Sequence, residues 1–327
     1  MRQPLINRAL CKKYFTEASL LLIACGVALF AFSWFRVWIV GELDTARFKQ
    51  IVDMLPEDWR KFSSVDFEWL VSYLGRTALT LEEPMLLMIM SIWVIVRGSD
   101  VVSGEISRGT MEMVLAQPIS RNRVYFQHVL LTLCVAFGFC LLVWVGMTFG
   151  ILTTSVEEST YPEILIPLTG YKIPITFLGP QTEVVAMVSR VSPIQFFPGI
   201  VNLFSFAFFL GCFAAFCSAW DRYRWRTLGI VVGFYLLNGM VKLLAMSSDT
   251  WSWLRYCNFF GFYQSAPAIQ LAEVNPMAIF TLVVTDESGN WTAVGPLAHN
   301  LVLVGLGMLL LIWGGRVFNR RDVPAPL

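Results

Sequence analysis

Six long runs of apolar residues follow one another along the chain, separated by polar segments of very different lengths. A helix needs roughly 20 apolar residues to cross about 30 Å of hydrocarbon, and each run reaches or approaches that length. The second run is the shortest, so a helix there must also include Glu82 and Glu83. The pattern predicts an all-α polytopic membrane protein, one domain over 1–327, with six transmembrane helices at Leu20–Val40, Leu79–Val96, Val124–Thr153, Phe196–Ala219, Thr227–Met246 and Asn300–Val317.

Two of the polar segments carry predicted helices of their own. Residues 1–17 mix basic and apolar positions, which predicts an amphipathic helix lying on the membrane surface. The segment 41–78 has apolar residues at helical spacing on both sides of Pro56. It therefore predicts two short amphipathic helices broken at that proline.

The other two long segments have little predicted helix. The segment 154–195 is rich in Pro and Gly, which favours a loop with helix only at about Thr182–Val191. The segment 247–298 holds many aromatic residues and a strand-like Ala278–Thr285. Aromatic rings favour the lipid headgroup level, so an interfacial belt is the first interpretation and a substrate-binding aromatic patch the second.

Small residues recur at four-residue spacing inside three of the predicted helices. In lipid no hydrophobic force draws helices together, and small residues let their backbones approach closely. The pattern predicts a tightly packed bundle, within one chain or across a dimer, through the pairs Gly146 and Gly150, Gly211 and Ala215, and Gly229 and Gly233.

Composition and charge agree with this class and exclude a soluble protein. Hydrophobic residues make up 56% of the 327 residues and charged residues only 14%, with a mean hydropathy of +0.63. The net charge of +1 includes no basic domain, so no nucleic-acid partner is expected. Of the seven cysteines only Cys257 falls in a long outer segment, which leaves neither a disulfide framework nor a metal-ligand spacing.

The distribution of basic residues predicts the orientation in the membrane. The segments 1–17, 97–123, 220–226 and 316–327 hold 14 Lys and Arg in 63 residues, whereas 36–83, 154–195 and 242–298 hold 10 in 147. Basic residues collect in short cytoplasmic segments. Both termini and the 97–123 segment are therefore predicted to be cytoplasmic, and 41–78, 154–195 and 247–298 extracytoplasmic.

The 97–123 segment is the candidate functional element. Glu105 and Arg108 are three residues apart, and Arg108 and Glu112 are four apart, so all three can share one side of a helix. Such a helix should end near Pro118. A short amphipathic element of this kind could dock into a groove of a soluble partner, and the alternative is an ordinary solvated loop.

A family resemblance rests on the same segment. Ser103-Gly104-Glu105, Arg108-Gly109-Thr110, Glu112, Leu115-Ala116-Gln117-Pro118 and Ser120-Arg121 resemble the link between the second and third helices in permease subunits of the ABC transporter type-2 exporter family. The terminal Phe318-Asn319-Arg320-Arg321-Asp322 and the six helices with both ends inside are also similar to that family.

The resemblance implies a permease in which the 99–117 region is a coupling helix seated on a separate ATP-binding subunit. That partner would bind ATP and Mg, because this chain contains no Gly-x-x-x-x-Gly-Lys-Ser/Thr phosphate loop. The chain itself is expected to need no cofactor and not to be an enzyme, and a second permease copy, identical or related, is expected beside it. The residues implied in coupling are Arg97, Asp100, Glu105, Arg108, Gly109, Thr110 and Glu112.

Polar residues inside the predicted helices are candidates for a translocation path. Ionisable groups in hydrocarbon are costly and usually face a cavity or a partner. Glu82 and Glu83 could line an outward vestibule, or could simply favour the start of the second helix. Asn238 of the fifth helix is a further candidate cavity residue.

Two other function classes stay open. An intramembrane enzyme needs a nucleophile with a base or clustered ligands, but His128 and His299 fall at opposite ends of the membrane, and no Gly-x-Ser-x-Gly or His-Glu-x-x-His occurs. A membrane anchor or signalling subunit could use the same ATPase contact without moving a solute. For the permease, a bacterial inner membrane is the expected location.

Overall fold

The computed structural model of the protein describes residues 7–43, 48, 54, 65–117, 119–160, 163–165, 172–174, 181–247, 249–285 and 291–321. It contains six helical segments long and apolar enough to cross a membrane, and each includes one of the six predicted spans. The segments are Arg8–Glu42, Tyr73–Ser107, Arg121–Thr153, Pro193–Trp220, Arg224–Ser247 and Pro296–Arg320. The predicted multi-pass, mainly helical architecture is confirmed, while the break predicted at Pro56 lies outside the described residues.

The first helix, α1 (Arg8–Glu42), is continuous from its first turn to its last. The Asn7 side chain accepts a hydrogen bond from the Ala9 amide and caps its start, and no Gly or Pro occurs between Arg8 and Gly26. Tyr14 and Ala18 are buried. The described residues 8–17 are therefore continuous with the first predicted span, and no separate helix is formed there.

The second segment changes helix type several times. It comprises α3 (Tyr73–Ala78), a 3-10 turn (Leu79–Leu81), α4 (Pro84–Ser99), a π turn (Asp100–Gly104) and α5 (Glu105–Ser107), and α2 (Phe67–Val71) precedes it. Pro84 stands at the first position of α4, where its missing N–H costs no hydrogen bond. The helix therefore restarts after Glu82 and Glu83 instead of running through them.

After the short α6 (Met111–Leu115), four long helices complete the bundle. They are α7 (Arg121–Thr153), α8 (Phe197–Trp220), α9 (Arg224–Ser247) and α11 (Pro296–Arg320). The central helix α8 packs against α4, α7, α9 and α11. Most of its residues are buried, whereas α9 buries only Thr227, Val231 and Ala245.

Small residues make the close helix contacts that the sequence predicts, except in α9. A Cβ at Gly146 of α7 would lie 2.8 Å from the carbonyl oxygen of Phe30 in α1. A Cβ at Gly98 of α4 would lie 3.0 Å from the carbonyl oxygen of Gly211 in α8. Helix backbones can approach this closely only where no side chain intervenes. Gly229 and Gly233 instead face open space.

The described parts of the connections contain three two-stranded antiparallel sheets, so the fold is not purely α-helical. Strand β1 (Ser155–Thr160) pairs with β4 (Gln181–Ala186), β2 (Glu163–Leu165) with β3 (Lys172–Pro174), and β5 (Val283–Thr285) with β6 (Trp291–Val294). The helix predicted at Thr182–Val191 is wrong over its first half, because Thr182, Val184 and Val185 favour the extended pairing with β1. Helical turns follow only at Met187–Ser189.

The connection from α9 to α11 turns back into the bundle. It runs through 3-10 turns at Asp249–Cys257 and Phe259–Phe262 into α10 (Ser265–Val274), then through Pro276–Phe280. The Phe259 ring lies 5.3 Å from that of Phe209, twelve residues or about 18 Å along α8 from its start. Part of 247–298 therefore packs against the bundle, with Phe259 and Phe260 buried, whereas an interfacial aromatic belt was the first interpretation of the sequence.

Candidate functional site

One end of the bundle gathers the basic segments and is called the charged end here. It comprises the described parts of 7–17, 97–123, 220–226 and 316–321. The Arg321 guanidinium donates to the carbonyl oxygens of Ala219 and Asp221 at 3.1 and 2.9 Å, and Arg121 donates to the carbonyl of Arg321 at 2.6 Å. These contacts join the ends of α7, α8 and α11.

A hydroxyl from α8 enters the backbone of the second segment and produces its π turn. Ser218 Oγ accepts hydrogen bonds from the amides of Val102 and Ser103, at 3.0 and 2.9 Å. It also donates to the Ser99 carbonyl at 2.9 Å. A side chain inserted between donors and acceptors interrupts the ordinary helical ladder. The π-type hydrogen bonding of this turn therefore depends on Ser218, which lies 115 positions from Ser103 along the chain.

The segment after the π turn reverses direction at Gly109. Gly109 has a φ of 69°, its amide donates to the Ile106 carbonyl, and the Thr110 amide donates to the Glu105 carbonyl. This double hydrogen bond around a left-handed residue is a Schellman helix end, which favours glycine. The single coupling helix expected over 99–117 is therefore two short helices, α5 and α6, joined by a turn. We call residues 105–115 the knob.

The Asp100 carboxylate is the centre of a buried charge cluster. Its oxygens lie 3.0 Å from Arg97, 2.6 Å from Arg108 and 3.6 Å from Arg224 of α9. The Asp100 side chain is only 2% exposed. A buried carboxylate is tolerated when such partners replace the water it has lost.

Glu105 is the second buried carboxylate, and it connects the knob to α1. The Lys13 ammonium lies 2.8 and 2.6 Å from its two oxygens. Arg108 donates to it at 3.1 Å, and the Thr110 hydroxyl donates to it as well. Burial by itself would lower the pKa of the Arg108 guanidinium, but its hydrogen bond to Asp100 and the neighbouring carboxylates outweigh burial and raise that pKa.

The cluster continues into the bundle through aromatic and polar contacts. The Arg97 guanidinium lies over the Tyr14 ring at 4.2 Å and within 3.5 Å of His128 Nε2. The Tyr14 hydroxyl donates to Thr132 Oγ1 at 3.2 Å. The charged groups thus hold α1, α4 and α7 together where these helices begin or end.

The residues predicted for coupling separate into two groups by exposure. Arg97, Asp100 and Glu105 are buried and bind other parts of this chain, and Thr110 supports Glu105. Gly109 and Glu112 are exposed, and Arg108 is partly exposed at 36% of its side chain. The outer surface of the knob therefore includes Gly109, Glu112 and the exposed Met113, together with Ser107 and Arg108.

A half-open pocket lies between α1, the knob and α7. Its empty volume is about 420 Å³, open solvent included. Glu17 and Lys13 lie at its side, and Leu10, Val114, Val124 and Leu131 supply most of its apolar lining. Among the described residues no group of three His, Cys, Asp or Glu side chains could hold a metal ion.

The candidate path residues at the opposite end all make contacts within the chain. Glu82 accepts a hydrogen bond from the Ala266 amide in the first turn of α10 at 3.1 Å. Glu83 forms an ion pair with Arg36 at 2.9 Å. The Asn238 amide donates to the carbonyl one turn earlier in α9. Glu82 and Glu83 thus hold α10 and α1 against the start of α4.

Sequence reasoning missed Lys13, Tyr14, Ser218 and Arg224. They come from α1, α8 and α9, and only tertiary packing brings them to the 97–110 region. The available signal for these side chains was the group of basic residues in the short connection 220–226. The chain matches no protein-family model and no curated protein. The family resemblance therefore rests on the residues of 103–121 and 318–322 and on the pattern of six helices.

Proposed function

We propose that the chain is the transmembrane permease subunit of an ATP-driven transporter of the type-2 exporter kind. A separate ATP-binding subunit would bind ATP and Mg and hydrolyse the nucleotide, and this chain would convert that subunit's movement into substrate translocation. The support is the 103–121 resemblance together with six helices long and apolar enough to span a membrane. The proposed location is the bacterial inner membrane, with the charged end in the cytoplasm.

The knob carries the proposal. It stands at the end of the second span and exposes the Glu112 carboxylate, the Met113 thioether and the Gly109 backbone. Met113 supplies apolar contact area beside the Glu112 charge, which fits an amphipathic element that docks into a groove of a partner. In this proposal Gly109, Glu112 and Met113 contact the ATPase, with Arg108 at their edge.

Arg97, Asp100 and Glu105 have a different part in the proposal. Their charged groups are buried and paired within this chain. Arg97 pairs with Asp100, and the two carboxylates also bind Lys13, Arg108 and Arg224. Removing one partner of a buried pair leaves an uncompensated charge. These residues would therefore fix the position of the knob relative to the spans.

A second permease copy completes the proposed assembly. Few residues of α9 are fully buried, and a Cβ at Gly229 or Gly233 would meet no other atom within 4 Å. Small residues on a lipid-facing helix allow close approach of another helix. This supports the pairing of two permeases and leaves open whether they are identical.

Affinity purification of the tagged chain from its native membrane tests the docking surface. Glu112→Arg should reduce the co-purifying ATP-binding subunit at least about tenfold, because it reverses an exposed charge at the contact. Glu183→Arg in β4 is the matched control, since it makes the same change on an exposed residue at the other end of the bundle. Equal recovery of the ATPase with both variants would count against the knob as its docking site.

A further inference from the structure

The knob is joined to the spans at several places, among them the Arg108–Asp100 pair and a hydrogen bond from the Arg224 amide to Ser107 Oγ. Two of its connections lead to α4 and to α1. One is covalent and runs through the π turn into α4. The other is electrostatic and runs from Glu105 to Lys13 in α1. The two lead to different helices, so a displacement of the knob could move α4, α1 or both.

The covalent connection passes through an irregular turn. A π turn lacks the regular spacing of α-helical hydrogen bonds, and here its amides are held by Ser218 of α8. These hydrogen bonds attach the π turn to the side of the central helix α8. A force on the knob along the axis of α4 therefore acts on the π turn, where the helical hydrogen-bond pattern is interrupted.

The electrostatic connection is short, buried on the knob side and firmly anchored on the α1 side. The Glu105 side chain is 7% exposed, and both of its oxygens contact the Lys13 ammonium. The start of α1 is tied to α7 by two hydrogen bonds between Asn7 and Gln127, at 3.1 and 2.8 Å. A charge pair in such a low-dielectric setting resists separation more than an exposed pair does.

We infer that the Glu105–Lys13 pair is a transmission contact that passes displacement of the knob to the first span. The inference rests on the proposed function, because an ATPase must displace the knob. It adds that α1 moves with the knob through this pair, and that Glu105 acts inside the chain without contacting the ATPase. The pair is a positioning device and takes no part in chemistry.

Thiol labelling in the purified assembly with its ATPase measures this transmission. The exposed Ala9 in the first turn of α1 and the exposed Ala116 directly after α6 are each replaced by cysteine, in a chain whose Cys11, Cys134 and Cys257 are alanine. The rate of maleimide labelling is compared with and without a non-hydrolysable ATP analogue. In the otherwise unchanged chain the analogue should alter both rates at least about threefold.

The variant Glu105→Gln should keep the nucleotide response at position 116 and reduce the response at position 9 to less than about 1.5-fold. The charge exchange, Lys13→Glu together with Glu105→Lys, should restore it. Glu17→Gln is the matched control, because Glu17 belongs to the same cluster but lies 3.8 and 3.9 Å from its cations. It should leave both responses unchanged. If Glu105→Gln does not fold, Lys13→Gln tests the same pair from its more exposed side.

Three outcomes overturn the inference, and they are distinguishable. A response at position 9 that persists in Glu105→Gln, or in Lys13→Gln, shows that α1 is moved by another route. A charge exchange that folds but restores nothing shows that the pair itself is not the contact. Absence of a nucleotide response at position 116 in the unchanged chain contradicts the proposed function, and the inference with it.

Discussion

The hydroxyl of Ser218 accepts a hydrogen bond from the amide of Ser103 at 2.9 Å. It joins the central helix α8 to the turn where α4 passes into the knob. Because the same oxygen also bonds the Val102 amide and the Ser99 carbonyl, one side chain satisfies three backbone groups of the π turn. The position of the charge cluster relative to the bundle depends on this contact.

Replacing Ser218 by alanine is expected to lower the free energy of unfolding by about 1–3 kcal/mol, because two buried amides lose their acceptor. The measurement is the thermal or denaturant unfolding of the purified chain in detergent. Ser205→Ala is the control, since that buried hydroxyl donates to a carbonyl of its own helix. It should change the free energy by no more than about 0.5 kcal/mol. Equal losses in both variants would contradict the role assigned to Ser218.

Gly109→Ala should destabilise the knob by about 1–2 kcal/mol, because alanine is strained at a φ of 69°. No atom lies within 4 Å of the added Cβ, so the cost is conformational and not steric. Protease sensitivity of the α5–α6 turn measures the effect. Gly138→Ala in α7 also meets open space, but there an alanine favours the helix and should be neutral or stabilising. Unchanged proteolysis of the Gly109→Ala turn would argue against the Schellman end.

Glu82→Ala should cost about 0.5–2 kcal/mol of stability, because the first turn of α10 loses its carboxylate acceptor. Glu83→Ala should cost less, about 0.2–1 kcal/mol, since its ion pair with Arg36 is partly exposed. Unfolding measured on the two variants side by side gives the comparison. A loss of transport with stability unchanged would instead assign that residue to the translocation path.

Opposite labelling of two cysteines tests the predicted orientation. In a chain whose exposed native cysteines are replaced, Ala116→Cys lies at the charged end and Ser189→Cys, next to β4, at the other end. A membrane-impermeant maleimide should label position 189 in intact cells and position 116 only after permeabilisation, because basic segments stay in the cytoplasm. The reverse pattern would overturn the orientation.

The spans were predictable from the sequence, while the direction of the charged side chains was not. Length and hydropathy determine whether a helix can cross a membrane, and both are local properties. The spacing of Glu105, Arg108 and Glu112 predicted one helix side for all three, whereas Glu105 and Glu112 lie in two short helices separated at Gly109. It could not show that Glu105 faces inward, because its partner Lys13 lies 92 residues away.

The same limit explains the other differences. The π turn requires a hydroxyl from α8, and the strand at Gln181–Ala186 requires β1 as its partner. Aromatic residues near Phe259 have the composition of a membrane interface. They are buried against α8 and α9 because the chain turns back into the bundle. No periodicity in the sequence of that segment predicts this return.

The central claim is that a separate ATPase works through the charged end of this chain. Its most direct test is the ATP hydrolysis of the assembly isolated under mild conditions from its native membrane, measured with the unchanged chain and with Glu112→Arg. We predict that the unchanged assembly contains an ATP-binding subunit and hydrolyses ATP, and that the variant chain is recovered without either. Full transport activity of the unchanged chain in the absence of an ATP-hydrolysing subunit would contradict the account.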